Sequence, residues 1–243
     1  MPKTIETAKA EPGIGRLNES RLHAALKARY ASQGGATEQL KDRWVCDVCQ
    51  KDGSIVEIQT GSFGPLYKKV SKLSLYNPVR IVHPIALENT IRTLDAEGHV
   101  LRSRKSPKRG SRWELFNALV YAPLLPLLSN CTIEVLLVAM TELRMDDGKG
   151  SWRRKGIRVL DRQLDEVFES IIISRPDDWQ QFIPSPLRTK AFTSKDLARE
   201  AGIRTALAGK VVYVLAKSGF IMEEKRINRF KGYRWISPSA LNS

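Results

Sequence analysis

The sequence has no apolar run long enough to cross a membrane as a helix, which takes about 18 or more unbroken residues. Its richest stretch, Phe116 to Leu128, is interrupted by Asn117, Pro123 and Pro126. Cysteine is scarce, with three in 243 residues. An odd, small number excludes a disulfide-stapled scaffold and favours a reducing compartment. Cys46 and Cys49 form a lone CxxC, and on a regular strand those positions face opposite ways and cannot share a zinc ion. His23, His83 and His99 lack metal-ligand spacing, and a strand residue such as His83 reads as a core histidine. No glycine-rich phosphate loop occurs, which argues against an NTPase and a nucleotide cofactor. Residues 1–16 are polar and unpatterned, with Lys3, Glu6, Lys9 and Glu11. They read as a flexible tail and not as a signal peptide, so a cytoplasmic location without membrane association is expected.

Positive charge is what the chain has in excess. Forty Lys and Arg stand against 26 Asp and Glu, a net charge of +14. That balance points to a polyanionic partner, most often nucleic acid. Hydrophobic residues make up 42% of the chain, enough for a globular core.

Asn18 is a plausible helix cap, and Leu22, Leu26 and Tyr30 follow at helical spacing until Gly34 and Gly35. Glu38 to Lys41 suggests a short strand. Arg43 to Gln50 and Ser54 to Thr60 are β-rich runs around Lys51-Asp52-Gly53, the pattern of a hairpin. If Gln50 faces Ser54, then Cys49 faces Ile55, Val48 faces Val56 and Asp47 faces Glu57. Gln59 lies two residues on, on the same face. Pro65 opens a second helix with a Leu66, Val70 and Leu73 stripe, and Val79 to Ile85 forms a strand. Residues 17–85 thus read α-β-β-β-α-β. Residues 88–106 suggest a hairpin turning at Ala96-Glu97-Gly98. Trp113 to Leu128 reads as a helix stopped by its prolines, and Thr132 to Arg144 and Trp152 to Leu160 as strands. Leu164 to Ile172 has helical spacing, and Pro176, Pro184 and Pro186 suggest a linker.

Opposed carboxylates on adjacent strands repel. A divalent cation relieves that repulsion, and Mg²⁺ is usually held by one or two carboxylates with substrate phosphate. Glu19 precedes Leu22 by three residues and Leu26 by seven, so it shares the helix face turned toward the sheet. Glu19 in a first helix, Asp47 on a strand and Glu57-Ile58-Gln59 after a hairpin resemble the PD-(D/E)xK, or restriction-endonuclease-like, nuclease superfamily. The resemblance spans about residues 17–85. It implies that Asp47 and Glu57 bind Mg²⁺ or Mn²⁺, with Glu19 as an auxiliary ligand. Gln59 stands where the superfamily has Lys. It can orient a water molecule but cannot take its proton or supply charge. Lys68, Lys69 and Lys72 on the next helix are the candidates to compensate.

Two basic clusters could neutralise phosphates. The first is Arg102, Arg104, Lys105, Lys108, Arg109 and Arg112, and the second contains Lys149, Arg153, Arg154, Lys155 and Arg158. The C-terminal segment, residues 187–243, carries twelve Lys and Arg against four acids. Thr193-Ser-Lys-Asp196 resembles a capping box. A short helix from Leu197, a turn at Gly202, a helix from Thr205 to Lys217 and two closing strands resemble a winged helix-turn-helix. In that family the second helix enters the major groove. Lys210, Tyr213 and Lys217 on this helix, and Lys225, Arg226, Arg229 and Lys231 in the wing, are then the DNA contacts.

The expected fold is thus α/β (α+β). A restriction-endonuclease-like domain with a β-rich extension occupies residues 17–175, and a winged helix occupies 187–243. The expected function is metal-dependent endonucleolytic hydrolysis of DNA, with Asp47, Glu57 and Gln59 catalytic. Three alternatives stand beside it: an inactive nuclease-fold DNA-binding protein, a transcriptional regulator, and a DNA-recruiting subunit of a larger assembly. Superfamily members frequently dimerise, so a second copy joins DNA among the expected partners.

Overall fold

A computed structural model describes residues 19–150, 152 and 156–236. Its fold is mixed α+β, with one seven-stranded sheet and a separate two-stranded hairpin. The first helix, α1 (Arg21–Ala31), is capped by Ser20, whose side chain accepts from the His23 N–H. The expected cap, Asn18, lies outside the described residues. Leu22, Leu26 and Tyr30 form the buried face of α1. The chain then forms β1 (Ala36–Lys41), β2 (Trp44–Cys49), β3 (Ile55–Ile58), α2 (Gly64–Leu73) and β4 (Val79–Leu94). Strands β1, β2 and β3 are antiparallel neighbours, and β3 runs parallel to β4 across the α2 crossover.

Beyond this unit the sheet is longer than the sequence suggests. The strand expected to end at Ile85 continues to Leu94, with a bulge between Ala86 and Glu88. The far half of β4 pairs with β5 (Val100–Lys105), which extends the sheet where β3 has ended. On its other side β4 runs parallel to β6 (Cys131–Asp146), and β6 pairs antiparallel with β7 (Ile157–Ile173). Leu164 to Ile172 is therefore strand, not helix. Three register shifts each give β7 one extra residue, at Leu160, Asp165 and Phe168. Bulges stretch the apolar repeat from two residues to three or four, which mimics helical spacing. The helix expected from Trp113 to Leu128 is also broken. Only α3 (Phe116–Leu119) is α-helical, flanked by 3₁₀ turns at Arg112–Leu115 and Leu125–Leu127.

The two sheet faces bury different cores. Leu22, Leu26, Val48, Val56, Val82 and Leu136 gather under α1. The opposite face packs under α2 and α3, and its core continues through Trp179, Phe182 and Leu187 into the C-terminal unit. The segment expected to be a linker is thus part of the core. Phe182 is fully buried and meets the rings of Trp113, Phe116 and Trp179.

The C-terminal unit contains α4 (Ser194–Ala201), α5 (Thr205–Lys217), β8 (Ile221–Ile227) and β9 (Phe230–Trp235). Thr193 and Asp196 form the reciprocal cap of α4, and Gly202 ends it at φ 63. This unit is tied to α3 and the chain after it. Lys210 Nζ donates to Asn117 Oδ1 at 2.6 Å, and Ser218 Oγ donates to the Pro123 carbonyl at 2.7 Å.

This continuity predicts a stability effect. Phe182→Ala should lower the unfolding free energy by about 3–5 kcal/mol, as for other buried aromatic truncations. Urea denaturation followed by tryptophan fluorescence measures it. A loss under about 1 kcal/mol would show that 176–187 is peripheral.

Candidate active site

The site is built on the β2–β3 hairpin and roofed by α1 and α2. The hairpin register begins as expected, with the Gln50 N–H donating to the Ser54 carbonyl and with Cys49 opposite Ile55 and Val48 opposite Val56. The paired ladder ends there. Asp47 Oδ2 accepts from the Ile58 main-chain N–H at 2.7 Å, so a carboxylate occupies the place of a strand carbonyl. The alternation of β2 breaks at the same residue. Cys46 and Val48 pack into opposite cores, and Cys49 joins the core of Cys46. The two cysteines therefore share a face, contrary to the expectation from a regular strand. Glu38, on the neighbouring strand β1, takes the left-handed φ of 54. Local irregularities of this kind re-aim a side chain.

Glu57 is only 3% exposed, and its two oxygens have different fates. Lys69 Nζ donates to Oε2 at 2.5 Å and to the Val45 carbonyl at 2.6 Å. Oε1 is buried with no well-formed hydrogen bond among the described residues, although the Asp47 main-chain N–H comes near enough to the carboxyl to favour its charged form. Burial raises the Glu57 pKa to about 7, helped by the Asp47 charge and opposed by Lys69. Asp47 moves the other way. Burial alone would raise its pKa, but bonds from His23 and Ile58, with the His23 and Lys69 charges, hold it below the ordinary value. The two carboxyls thus differ at neutral pH because different groups face them.

His23 was not a candidate on sequence spacing, yet it stands between two acids. Its Nε2 lies 3.4 Å from Asp47 Oδ2 and its Nδ1 lies 2.5 Å from Glu19 Oε1. The Asp47 hydrogen bond is the main reason its pKa is raised, which favours the doubly protonated ring needed to donate on both sides. Glu19 also accepts an ion pair from Lys27 at 2.7 Å, and Lys27 reaches Glu38 at 2.9 Å. Glu19 thus meets two cations and reaches Asp47 through His23. Among the described residues, no three His, Cys, Asp or Glu side chains form one group suited to a metal ion.

Gln59 serves the β3–α2 turn. Its Nε2 donates to the Ser62 carbonyl at 2.6 Å, its N–H donates to the Val82 carbonyl, and its own carbonyl lies 2.6 Å from His83 Nδ1. Of the three lysines on α2, Lys69 reaches the carboxylates. The signal was present in the sequence. Lys69 follows Leu66 by three residues and precedes Leu73 by four, so it lies on the buried stripe of α2.

The basic candidates are differently engaged. Arg102 and Arg104 are exposed on β5 and make no ion pair among the described residues. Lys105 and Arg109 pair with Glu88, and Lys108 pairs with Glu114. Arg112 lies over the rings of Trp113 and Phe182. Lys231 pairs with Glu223, Arg229 lies over the Phe230 ring, and Lys210 bonds Asn117. Tyr213, Lys217, Lys225 and Arg226 are exposed. Arg153, Arg154 and Lys155 lie outside the described residues.

The family described as "Domain of unknown function (DUF8091)" matches residues 20–174. The chain belongs to this family. The DUF8091 region runs from the cap of α1 to the end of β7 and contains His23, Asp47, Glu57 and Lys69. The chain is also similar to an uncharacterized protein of Treponema pallidum (strain Nichols). The two are 31% identical over 226 residues, covering 93% of this chain and 88% of that protein. That span exceeds the DUF8091 region and takes in most of the C-terminal unit. No solved structure matches the chain.

The raised pKa of Glu57 has a signed consequence. A carboxyl whose folded pKa lies above its ordinary value of 4.5 favours the folded state below that pH, and the advantage disappears as pH rises through about 7. Replacing it by Gln removes this dependence. Between pH 5 and 8 the stability of Glu57→Gln relative to wild type should therefore rise, by on the order of 1–3 kcal/mol. Denaturation in chelator at both pH values measures it. A difference that stays flat, or that favours wild type at pH 8, would show that Glu57 is an ordinary ion-paired carboxylate.

Proposed function

We propose that this protein is a metal-dependent nuclease that hydrolyses DNA phosphodiester bonds, with the charge of the missing motif lysine supplied by Lys69 of α2. One observation carries this reading. A buried carboxyl, Glu57, keeps one oxygen without a well-formed hydrogen bond among the described residues, close to a second carboxylate, Asp47, while a lysine holds its other oxygen. A buried, unsatisfied carboxylate oxygen costs stability unless something binds it. The geometry suits a two-carboxylate Mg²⁺ or Mn²⁺ site, in which substrate oxygens and water complete the shell. Asp47 and Glu57 would hold the ion, which when bound polarises the phosphate and lowers the pKa of a water molecule.

The protein groups divide the remaining work. The Ile58 N–H fixes the Asp47 carboxylate, and His23 keeps it ionised. Lys69 spends two of its three N–H donors on Val45 and Glu57. The third is left for an attacking water or a phosphate oxygen. Gln59 is thereby relieved of the lysine's role and shapes the turn after β3. The C-terminal unit has the element order of a winged helix. Tyr213 and Lys217 on α5, with Lys225 and Arg226 on β8, are among its exposed groups suited to a DNA backbone.

A plasmid-nicking assay with Mg²⁺, Mn²⁺ or chelator tests the proposal. Cutting is expected with either metal and not with chelator. Glu57→Ala and Lys69→Met should each reduce it by about a hundredfold or more. Nicking that survives Glu57→Ala, or the absence of metal-dependent cutting on duplex, single-stranded and branched DNA, would sink the reading.

A further inference from the structure

A cleft of about 380 Å³ is lined by residues that neighbour His23 and Gln59 along the chain. Leu22, which precedes His23 on α1, forms part of one wall. Ser62, just after Gln59, forms another. His83 and Asn89 on β4, Met140 on β6 and Asn117 on α3 complete the lining. The volume falls within the range of small-ligand sites, roughly 300–1,000 Å³.

The charged groups at this cleft neutralise one another. Glu142 is held by Arg144 and Arg162, and Glu114 by Lys108 and Asn117. The lining therefore does not call for an ionic ligand. Beside the hydroxyls of Thr60 and Ser62, which can donate or accept, two acceptors at the cleft have no donor among the described residues. The Gln59 carbonyl near His83 Nδ1 can only accept, so Nδ1 carries the proton. Burial lowers the His83 pKa although that hydrogen bond opposes the shift, and the ring stays neutral. Nε2 is then a bare acceptor, with no hydrogen-bond partner among the described residues. The second is Asn89 Oδ1, which is buried and has no hydrogen-bond partner among the described residues. The last torsion of an Asn side chain has a broad well, so its amide can swing to meet a donor placed in the cleft.

Apolar walls with acceptors on one side match the edge of a nucleobase that carries an exocyclic amino group. We propose that the cleft receives such a base, turned out of the DNA strand whose phosphate lies at Asp47 and Glu57. This rests on the nuclease reading and narrows its substrate. Adenine, cytosine and guanine present an amino group whose two N–H donors can serve both acceptors, whereas thymine offers a single N3–H on that edge and can serve one. Enzymes that take a base out of its stack read it by hydrogen bonds to its edge between apolar side chains. A donor that finds these acceptors satisfies groups otherwise buried at a cost.

The test is equilibrium binding of the full chain, in chelator, to short oligo(dA), oligo(dC) and oligo(dT), followed by fluorescence anisotropy. Free deoxyadenosine and thymidine serve as competitors. Oligo(dA) and oligo(dC) should bind about tenfold more tightly than oligo(dT). Asn89→Leu should bring the three within about twofold without lowering the melting temperature. Equal binding of all three strands beside intact metal-dependent cutting would overturn the cleft and leave the nuclease standing. An amino-base preference abolished by Asn89→Leu, with no cutting on any substrate, would support the cleft and defeat the nuclease. Free deoxyadenosine that competes as well as the strand would overturn the strand-borne form of the proposal.

Discussion

A carboxylate without water around it is the constraint to which the rest of this site answers. Glu57 sits on a strand buried along its whole length. An uncompensated charge there is costly, so it must be paired, neutralised or coordinated. The chain uses the first two in part. Lys69 bonds one oxygen, and burial raises the pKa toward neutrality. Asp47 cannot share that solution because its neighbour would repel it. It turns instead to the Ile58 N–H and to His23, and the strand ladder stops to allow this. His23 is in turn held by Glu19, and Glu19 by Lys27. The result is a chain of alternating charge that leads from a buried acid to the surface, with one oxygen left open.

The order of elements over 17–85 was legible because each has a strong local signal. A stripe at 22, 26 and 30, a glycine-ended loop at 51–53 and a proline at the first turn of α2 each report on neighbours in sequence. The hairpin register followed from that loop as far as Val48. What followed was not legible, because the bend at Asp47 is made by a side chain replacing a backbone acceptor. No propensity encodes such a substitution. The β7 error has the same origin. Bulges at Leu160, Asp165 and Phe168 are set by pairing with β6, and the spacing they leave in the sequence is helical in appearance.

The site residues were legible to different depths. Asp47 and Glu57 stood out because like charges opposed on a hairpin need a reason. Lys69 was one of three lysines within five residues, and its place on the buried stripe was the discriminating feature. His23 was overlooked because spacing was sought among histidines. Its partners are carboxylates, one a helical turn before it in sequence and one on another element, and the second relation exists only once α1 lies over β2.

The basic surface carries a similar lesson about composition. A net charge of +14 does not say which cations are free to meet a partner. Lys105, Arg109, Lys108 and Lys231 each lean on an exposed or half-exposed acid. Such pairs are worth little, typically under about 1 kcal/mol, and a phosphate can replace the acid at small cost. Arg112 and Lys210 are different. One covers the Trp113 and Phe182 rings, and the other joins α5 to α3, so withdrawing either would loosen the packing between the sheet and the C-terminal unit. Arg102 and Arg104 on β5, with Lys217, Lys225 and Arg226 in the C-terminal unit, are exposed cations with no ion pair among the described residues. Which cations are unengaged is therefore set by pairing and packing, and the total charge does not record it.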